Sequence, residues 1–196
     1  TLVPTSTPDP STPTFVPPTT FTATATSVST ATATALPTVP FVWTVATPKN
    51  LVLGETGLIT VSLNNVPAEG YKSAEFTCTY NPSLIESSNI TISNLFGTDT
   101  VSAISGPQNG VFIVAIAGSG NNKATASGTA FTFNVTGMQI GQTGIECTAR
   151  VSQGVNSLES IASIADIITV LGNTPTVTPM PTSGLLNGQV FASKAI

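Results

Sequence analysis

Short runs of alternating apolar and polar residues fill the middle of this chain, and they constrain its fold more than any other feature. The runs lie between residues 41 and 172, and Gly, Asn and Pro interrupt them at short intervals. Because successive side chains of a strand point to opposite faces, this pattern predicts half-buried β-strands joined by turns. A segment of this length is also sufficient to bury a hydrophobic core.

The runs predict about nine strands. They are residues 41–45, 58–63, 73–80, 90–95, 101–104, 111–117, 129–135, 145–151 and 164–171. Nine antiparallel strands in one domain imply an all-β fold, a nine-stranded β-sandwich with jelly-roll topology.

Two segments carry further expectations. The residues Gln108, Asn109 and Gly110 predict a hairpin turn, and the run that follows is apolar at every position from Val111 to Ala117. We therefore expect that run to be a central strand covered on both faces. Residues 158–168 permit a short helix by the spacing of their isoleucines, but β-branched residues favour a strand in the second half.

Low-complexity segments flank the β-rich part. Residues 1–40 are almost entirely Thr, Pro, Ala, Ser and Val, and Thr-Pro repeats return after residue 172. We divide the chain into a linker or assembly arm (1–40), a β-sandwich (41–172), a second Thr/Pro linker (173–183) and a strand-like tail (184–196). The tail is either a donated strand or the start of a further domain. Since the chain begins at Thr1 without Met, we expect a mature or excised form.

Charge and composition exclude several classes of function. Only 7% of residues are charged and the net charge is −4, so Thr, Ser, Asn, Gln and Gly must form the surface. Such a surface favours an extracellular or cell-surface location. The five basic residues are not clustered, which argues against a nucleic-acid partner. No apolar run reaches the ~18 residues of a membrane-spanning helix, so we expect no membrane span.

The chain contains no histidine, and so lacks the usual general base and the commonest metal ligand. A glycosidase with two carboxylates needs no histidine, but no acidic pair here is distinguished by its sequence setting. We expect no enzyme, no metal site and no cofactor.

The two cysteines, Cys78 and Cys147, both lie in strand-like runs. They lack C-x-x-C spacing and a histidine partner, so a zinc site is not favoured. Two interpretations stay open. The first is a disulfide, which export would favour, and the second is a pair of buried free thiols that pack as small hydrophobic groups.

Four segments in order resemble those of a cohesin module, the receptor half of the cohesin–dockerin pair. Residues 54–66 are similar to the family's opening turn, strand and Asn-Val corner. Residues 73–84 are similar to its third strand and Tyr-Asp-Pro-x-x-Leu turn, with Asn81 where Asp is usual. Residues 114–119 and 128–137 resemble the sixth and seventh strands. The resemblance covers about residues 41–172 and implies a nine-stranded jelly roll.

The resemblance also implies that the third and eighth strands lie side by side in one sheet, with one cysteine on each. Alternation then turns one set of residues inward, namely Ala74, Phe76, Cys78, Tyr80, Ile145, Cys147, Ala149 and Val151. The two thiols would meet in the core, where they can form a disulfide.

The opposite parity turns Ser73, Glu75, Thr77 and Thr79 outward. In cohesins this face binds the dockerin, and an Asn and an Asp two residues apart on the third strand are central to it. Ser73 and Glu75 match those positions, and Glu75 keeps the acid whereas Ser73 departs from the pattern. The alternative is that Glu75 is an ordinary solvated strand residue.

The arm contains threonines that alternate with small residues: Thr22, Thr24, Thr26, Thr30, Thr32 and Thr34. This pattern predicts either mucin-like low complexity, with glycans on the Thr and Ser of the linkers, or an extended strand that pairs with a neighbour's sheet edge. Asn89 and Asn134 each begin an Asn-x-Thr sequence and are candidate N-glycosylation sites.

Two functions follow from these observations. The favoured one is a non-catalytic, extracellular protein–protein interaction and structural module of cohesin type, which acts in scaffold or surface-fibre assembly. Its partner would be a dockerin-like protein or an identical subunit. The alternative is a carbohydrate-binding module of a secreted multidomain polysaccharide-degrading protein. Sugar binding needs exposed aromatic rings, and besides Phe the chain offers only Trp43, Tyr71 and the inward-pointing Tyr80.

Overall fold

A computed structural model describes residues 36–154 and 157–173 of the chain. This part contains eleven strands, a single turn of 3-10 helix at Asn94–Phe96 and no α-helix. The strands are β1 (Phe41–Thr47), β2 (Asn50–Val52), β3 (Thr56–Asn64), β4 (Ser73–Thr79), β5 (Ile85–Ile92), β6 (Val101–Gln108), β7 (Val111–Ala117), β8 (Gly128–Gly137), β9 (Gly141–Ser152), β10 (Glu159–Ile164) and β11 (Asp166–Leu171). No helix in this part is long and apolar enough to cross a membrane.

The strands form two packed layers. One has the order β5-β8-β3-β1 and the other β6-β7-β4-β9, and β10 joins them by pairing with both β1 and β9. Phenylalanine rings fill the space between the layers. The ring centroids of Phe76 and Phe131 are 5.2 Å apart, and those of Phe112 and Phe133 are 4.9 Å apart. Edge-to-face contacts of this kind stabilise a core beyond the area they bury. The predicted all-β sandwich is confirmed.

The structure has more strands than the sequence predicts. The short strand β2 adds one, and residues 158–168 form two strands in place of any helix. Both additions create parallel pairs, β2 with β11 and β1 with β10. The strand predicted at residues 90–95 begins earlier, at Ile85, and ends at Ile92. A register shift around Asn89, which has a φ of 50°, hides this strand's alternation in the sequence.

The expected parity of two central strands is correct. On β4, Ala74, Phe76 and Cys78 are buried, and on β9 the four predicted inward residues from Ile145 to Val151 are buried as well. Tyr80 is half-buried and packs against the core, where its hydroxyl lies 2.7 Å from Oγ of Ser87. The outward side of β4 therefore lies on a well-packed layer.

The expectation that Val111–Ala117 is covered on both faces is wrong. This strand is central in its pairing, since β7 lies between β4 and β6. However, Val111 and Ile113 are 40% and 38% exposed, whereas Phe112 and Val114 on the other face are buried. Apolar composition alone does not reveal which face of a strand meets the core, and the core lies on one side of β7 only.

Candidate protein-binding face

The outward side of the β6-β7-β4-β9 layer forms a broad face, which we call the candidate face. All four residues predicted on β4 lie on it. Ser73, Glu75 and Thr77 are half-buried and Thr79 is exposed. They alternate with the buried residues of the same strand, so the register of β4 in the sandwich determines their direction.

An ion pair crosses the middle of the candidate face. Glu75 of β4 stands directly opposite Arg150 of β9, and its Oε1 accepts hydrogen bonds from Nη2 at 2.6 Å and Nε at 3.2 Å. The Arg150 and Glu75 side chains are 53% and 31% exposed, so solvent screens the pair and its contribution to stability is small. Its main effect is to place a cation beside the acid of β4, so that the two charges at the centre of the face cancel.

The sequence interpretation missed Arg150, although the signal was present. Cys78 faces Cys147 in an antiparallel pair. Glu75 lies three residues before Cys78 and Arg150 lies three residues after Cys147, so the same register places Glu75 opposite Arg150. The cysteine register therefore predicts the ion pair.

The disulfide lies directly beneath this face. Cys78 and Cys147 are register partners on β4 and β9, with Cα atoms 4.0 Å apart, and their sulfurs are bonded. Both are buried on the inward side of the layer, and the N–H of Cys147 donates to Oγ1 of Thr44 at 3.3 Å. The bridge ties together the two strands that carry Glu75 and Arg150.

The half of the face formed by β6 and β7 is apolar. Most of its outward residues have small or aliphatic side chains, and Ser105 and Gln108 are the polar exceptions. The apolar ones are Val101, Ala103, Val111, Ile113, Ala115 and Ala117. A groove of about 230 Å³ lies where this half meets β4, and Leu158 from the loop before β10 also lines it. The candidate face thus has an apolar half beside a hydroxyl-rich half whose central charges cancel. Such a surface loses little solvation energy when a partner covers it.

The two candidate glycosylation sites lie on the other layer. Asn89 is exposed at the bulge of β5, and Asn134 is half-buried on β8, opposite Ser88. Neither belongs to the strands of the candidate face, so a glycan at either position would leave that face open.

The aromatic residues do not form a platform. Within residues 36–154 and 157–173, Trp43 is the one exposed aromatic side chain, at 38%. Tyr71 is buried, and desolvation, together with the charge of Glu159, raises the pKa of its hydroxyl. The assembly-arm threonines predicted at Thr22, Thr24, Thr26, Thr30, Thr32 and Thr34 lie outside the described residues, as does the tail 184–196.

Comparison with known proteins places this layer arrangement in a family. The family model of the cohesin domain matches residues 41–170. The chain belongs to the cohesin family. No curated protein sequence matches it.

Solved cohesin structures share the fold at low sequence identity. The cohesin module from a Clostridium perfringens family 33 glycoside hydrolase has a TM-score of 0.60 and 15% identity, over 70% of this chain and 100% of that one. The seventh ScaB type I cohesin of Pseudobacteroides cellulosolvens has a TM-score of 0.58 and 16% identity, over 70% and 95%. The third ScaC cohesin of Acetivibrio cellulolyticus, solved with the ScaB dockerin, has a TM-score of 0.56 and 13% identity, over 68% and 99%.

Proposed function

We propose that this cohesin domain is a non-catalytic receptor that binds a dockerin-like protein through the candidate face. Cohesin domains are non-catalytic interaction modules, typical of secreted or cell-surface scaffoldins, and cohesin homologues bind dockerins. The observation that carries the proposal is the exposed apolar half of the face, beside a polar half whose central acid is already paired. Ser73, Glu75, Thr77 and Thr79 provide hydroxyl and carboxylate groups that orient the partner.

The proposal is tested by placing a charge on the apolar half. Ile113→Asp changes a 38% exposed residue of the candidate face, and Leu58→Asp changes a 43% exposed residue on the outward side of the other layer. Binding is measured by calorimetry against a panel of purified dockerin domains that includes the ScaB dockerin of Acetivibrio cellulolyticus. We expect Ile113→Asp to weaken binding at least tenfold and Leu58→Asp to leave it unchanged. Equal effects, or no binding by the unchanged chain to any dockerin, would overturn the proposal.

We further propose an extracellular or cell-surface location, in a scaffold or surface fibre. The bonded Cys78–Cys147 pair supports it, because such bridges persist in oxidising compartments. The low share of charged residues, 7%, points the same way. In this setting the Thr and Ser residues of the linkers carry glycans, and the arm contributes to assembly by donating a strand to another subunit. Intact-mass measurement of the native protein before and after chemical deglycosylation tests for the glycans.

The carbohydrate-binding alternative is less well supported. Sugar-binding faces stack pyranose rings on exposed aromatic side chains, and Trp43 is the single such ring among the described residues. Its register neighbours on β3 and β10 are Ser62 and Ile164, which offer no second ring. Affinity electrophoresis in soluble polysaccharides distinguishes the two functions, since a protein receptor should migrate unretarded.

A further inference from the structure

Strand β6 is a free edge of the sandwich. It is last in the order of its layer and, among the described residues, pairs with β7 alone. All eight residues of the strand are exposed, and Val101 is 68% exposed. An edge of this kind presents unpaired backbone groups to any extended chain that approaches it.

The backbone groups that face outward along this edge belong to Ser102 and Ile104. Gly118, just after β7, donates its N–H to the carbonyl of Lys72 on the β4 side. Because backbone groups alternate sides along a strand, the residues of β7 that point toward β6 are Ala117, Ala115 and Ile113. Their register partners are Val101, Ala103 and Ser105. The N–H and C=O groups between those partners, at Ser102 and Ile104, therefore point away from β7.

The edge at residues 101–105 lacks the features that usually prevent strand addition. It carries no charged side chain and no proline. Asp99 lies two residues before it, and Pro107 and a register shift between Ser105 and Gln108 lie after it. The opposite free edge, β5, differs because it carries Glu86 and a bulge at Asn89. The open part of β6 is thus the better acceptor of the two.

The chain also contains a segment suited to occupy this edge. Residues 22–34 alternate β-branched residues with Ala or Ser, and they contain no charge, proline or glycine. One face of such a strand is uniformly small, and the other consists of β-branched residues, mostly threonine, which favour the strand conformation. At ~3.3 Å per residue these 13 positions extend over roughly 43 Å, more than the five open residues of β6 need.

We infer that residues 22–34 of a second copy of this chain add as a β-strand to the β6 edge at residues 101–105. The inference rests on the assembly role proposed above for the arm, and it names the acceptor. Main-chain hydrogen bonds to Ser102 and Ile104 provide the affinity, and the alternating side chains determine the register. Donor and acceptor are different surfaces, so the contact is heterologous and extends into open chains of subunits unless rotation closes a ring.

The test uses the full chain with matched pairs of variants. Ile104→Pro removes the outward N–H, and Ile104→Val keeps it together with the β-branched side chain. In the arm, the double variant Thr26→Pro and Thr30→Pro interrupts the alternating segment. Its control, Thr5→Pro with Thr12→Pro, adds the same residues to a stretch that already contains proline. Sedimentation velocity across a concentration series measures assembly, and thermal unfolding checks the fold.

Hydrogen exchange provides a second measurement that needs no change in β6. Mass spectrometry follows the exchange of the amides in residues 101–108. We compare the unchanged chain at low and at high protein concentration with the two arm variants. We expect protection that rises with concentration and is absent when the alternating segment is interrupted. Ile104→Pro should raise the concentration needed for assembly roughly tenfold or more, and Ile104→Val should not.

The outcomes separate the inference from the broader assembly role. If the full chain assembles while β6 stays unprotected and Ile104→Pro assembles normally, the acceptor lies elsewhere and this inference is wrong. Protection that does not depend on concentration would mean that the arm pairs with its own domain, which also contradicts it. A full chain that stays monomeric at every concentration overturns the assembly role itself.

Discussion

Arg150 of β9 lies directly opposite Glu75 of β4, with Nη2 2.6 Å from Oε1, in the middle of the candidate face. The pair follows from the register that also brings Cys78 opposite Cys147. A single strand pairing therefore determines both the covalent bridge on the inward side of the layer and the charge pattern on its outward side. The carboxylate of Glu75 is thus already paired with a cation of its own domain.

Replacing Glu75 by Lys should weaken partner binding or assembly while the fold stays intact. Glu75→Lys places two cations in adjacent register positions and gives the polar half a charge that its partner was not selected to meet. Because the native pair is largely solvent-exposed, we expect the free energy of unfolding to change by about 1 kcal/mol or less. Calorimetric titration with the dockerin panel and urea unfolding measure the two effects. Glu86→Lys, the same change on β5 of the other layer, is the control, and equal losses in both variants would contradict a specific role for Glu75.

Breaking the disulfide should destabilise the domain without changing its topology. The bridge spans 69 residues, and the chain-entropy estimate for a loop of this size is roughly 4 kcal/mol. The double variant Cys78→Ala and Cys147→Ala should lose stability of that order in urea unfolding, and reductant should affect only the unchanged protein. Mass spectrometry of the non-reduced, alkylated protein provides a direct check, since two alkylated thiols would contradict the bridge.

Removing the carboxylate of Asp166 should change how the free energy of unfolding depends on pH in the acidic range. Burial alone would raise the pKa of Asp166, but hydrogen bonds from the N–H of Ala46, from Lys49 Nζ and from the N–H of Ile167 outweigh it, and the pKa lies below its usual value. Because the pKa of Asp166 is lower in the folded than in the unfolded state, its carboxylate stabilises the fold fully at any pH above the unfolded pKa of about 3.9. This stabilisation is lost as the pH falls through the folded pKa.

Asp166→Asn should therefore be less stable than the unchanged protein at pH 7, and the difference should shrink as the pH falls below about 4. Urea unfolding from pH 7 down to pH 2 measures it. Glu86→Gln, an exposed acid on β5, is the matched control. A difference between Asp166→Asn and the unchanged protein that stays constant with pH would show that the interaction is not ionic.

The hairpin before β7 should tolerate no side chain at Gly110. This glycine has a φ of 77°, and an added Cβ would overlap the carbonyl oxygen of Tyr80. Gly120 also has a positive φ, 54°, but an added Cβ there meets nothing within 4 Å. We expect Gly120→Ala to cost about 1 kcal/mol from backbone strain alone and Gly110→Ala clearly more, measured by thermal unfolding. Equal costs would show that the close approach to Tyr80 relaxes freely.

The sequence predicts the individual strands well where local rules suffice. The alternation of β4 and β9 assigned their inward and outward residues correctly, and Asn109 and Gly110 both have the positive φ that a tight hairpin requires. The same rules fail at β5, where a bulge interrupts the alternation, and at residues 158–168, where the isoleucine spacing is compatible with either helix or strand. Both failures occur where period-two alternation, the signal for a strand, is broken or ambiguous.

The sequence by itself determined the all-β class, the alternation that turns Ser73 and Glu75 outward, and the resemblance to cohesins, because these depend on local side-chain patterns. Only the tertiary structure decided that β4 and β9 lie side by side, which brings Arg150 opposite Glu75, that Val111 and Ile113 of β7 stay exposed, and that β6 is a free edge. Each of these depends on which strands lie side by side and on what packs over a layer. The strands that lie beside a given strand come from distant parts of the chain, and the periodicity within that strand does not predict which strands they are.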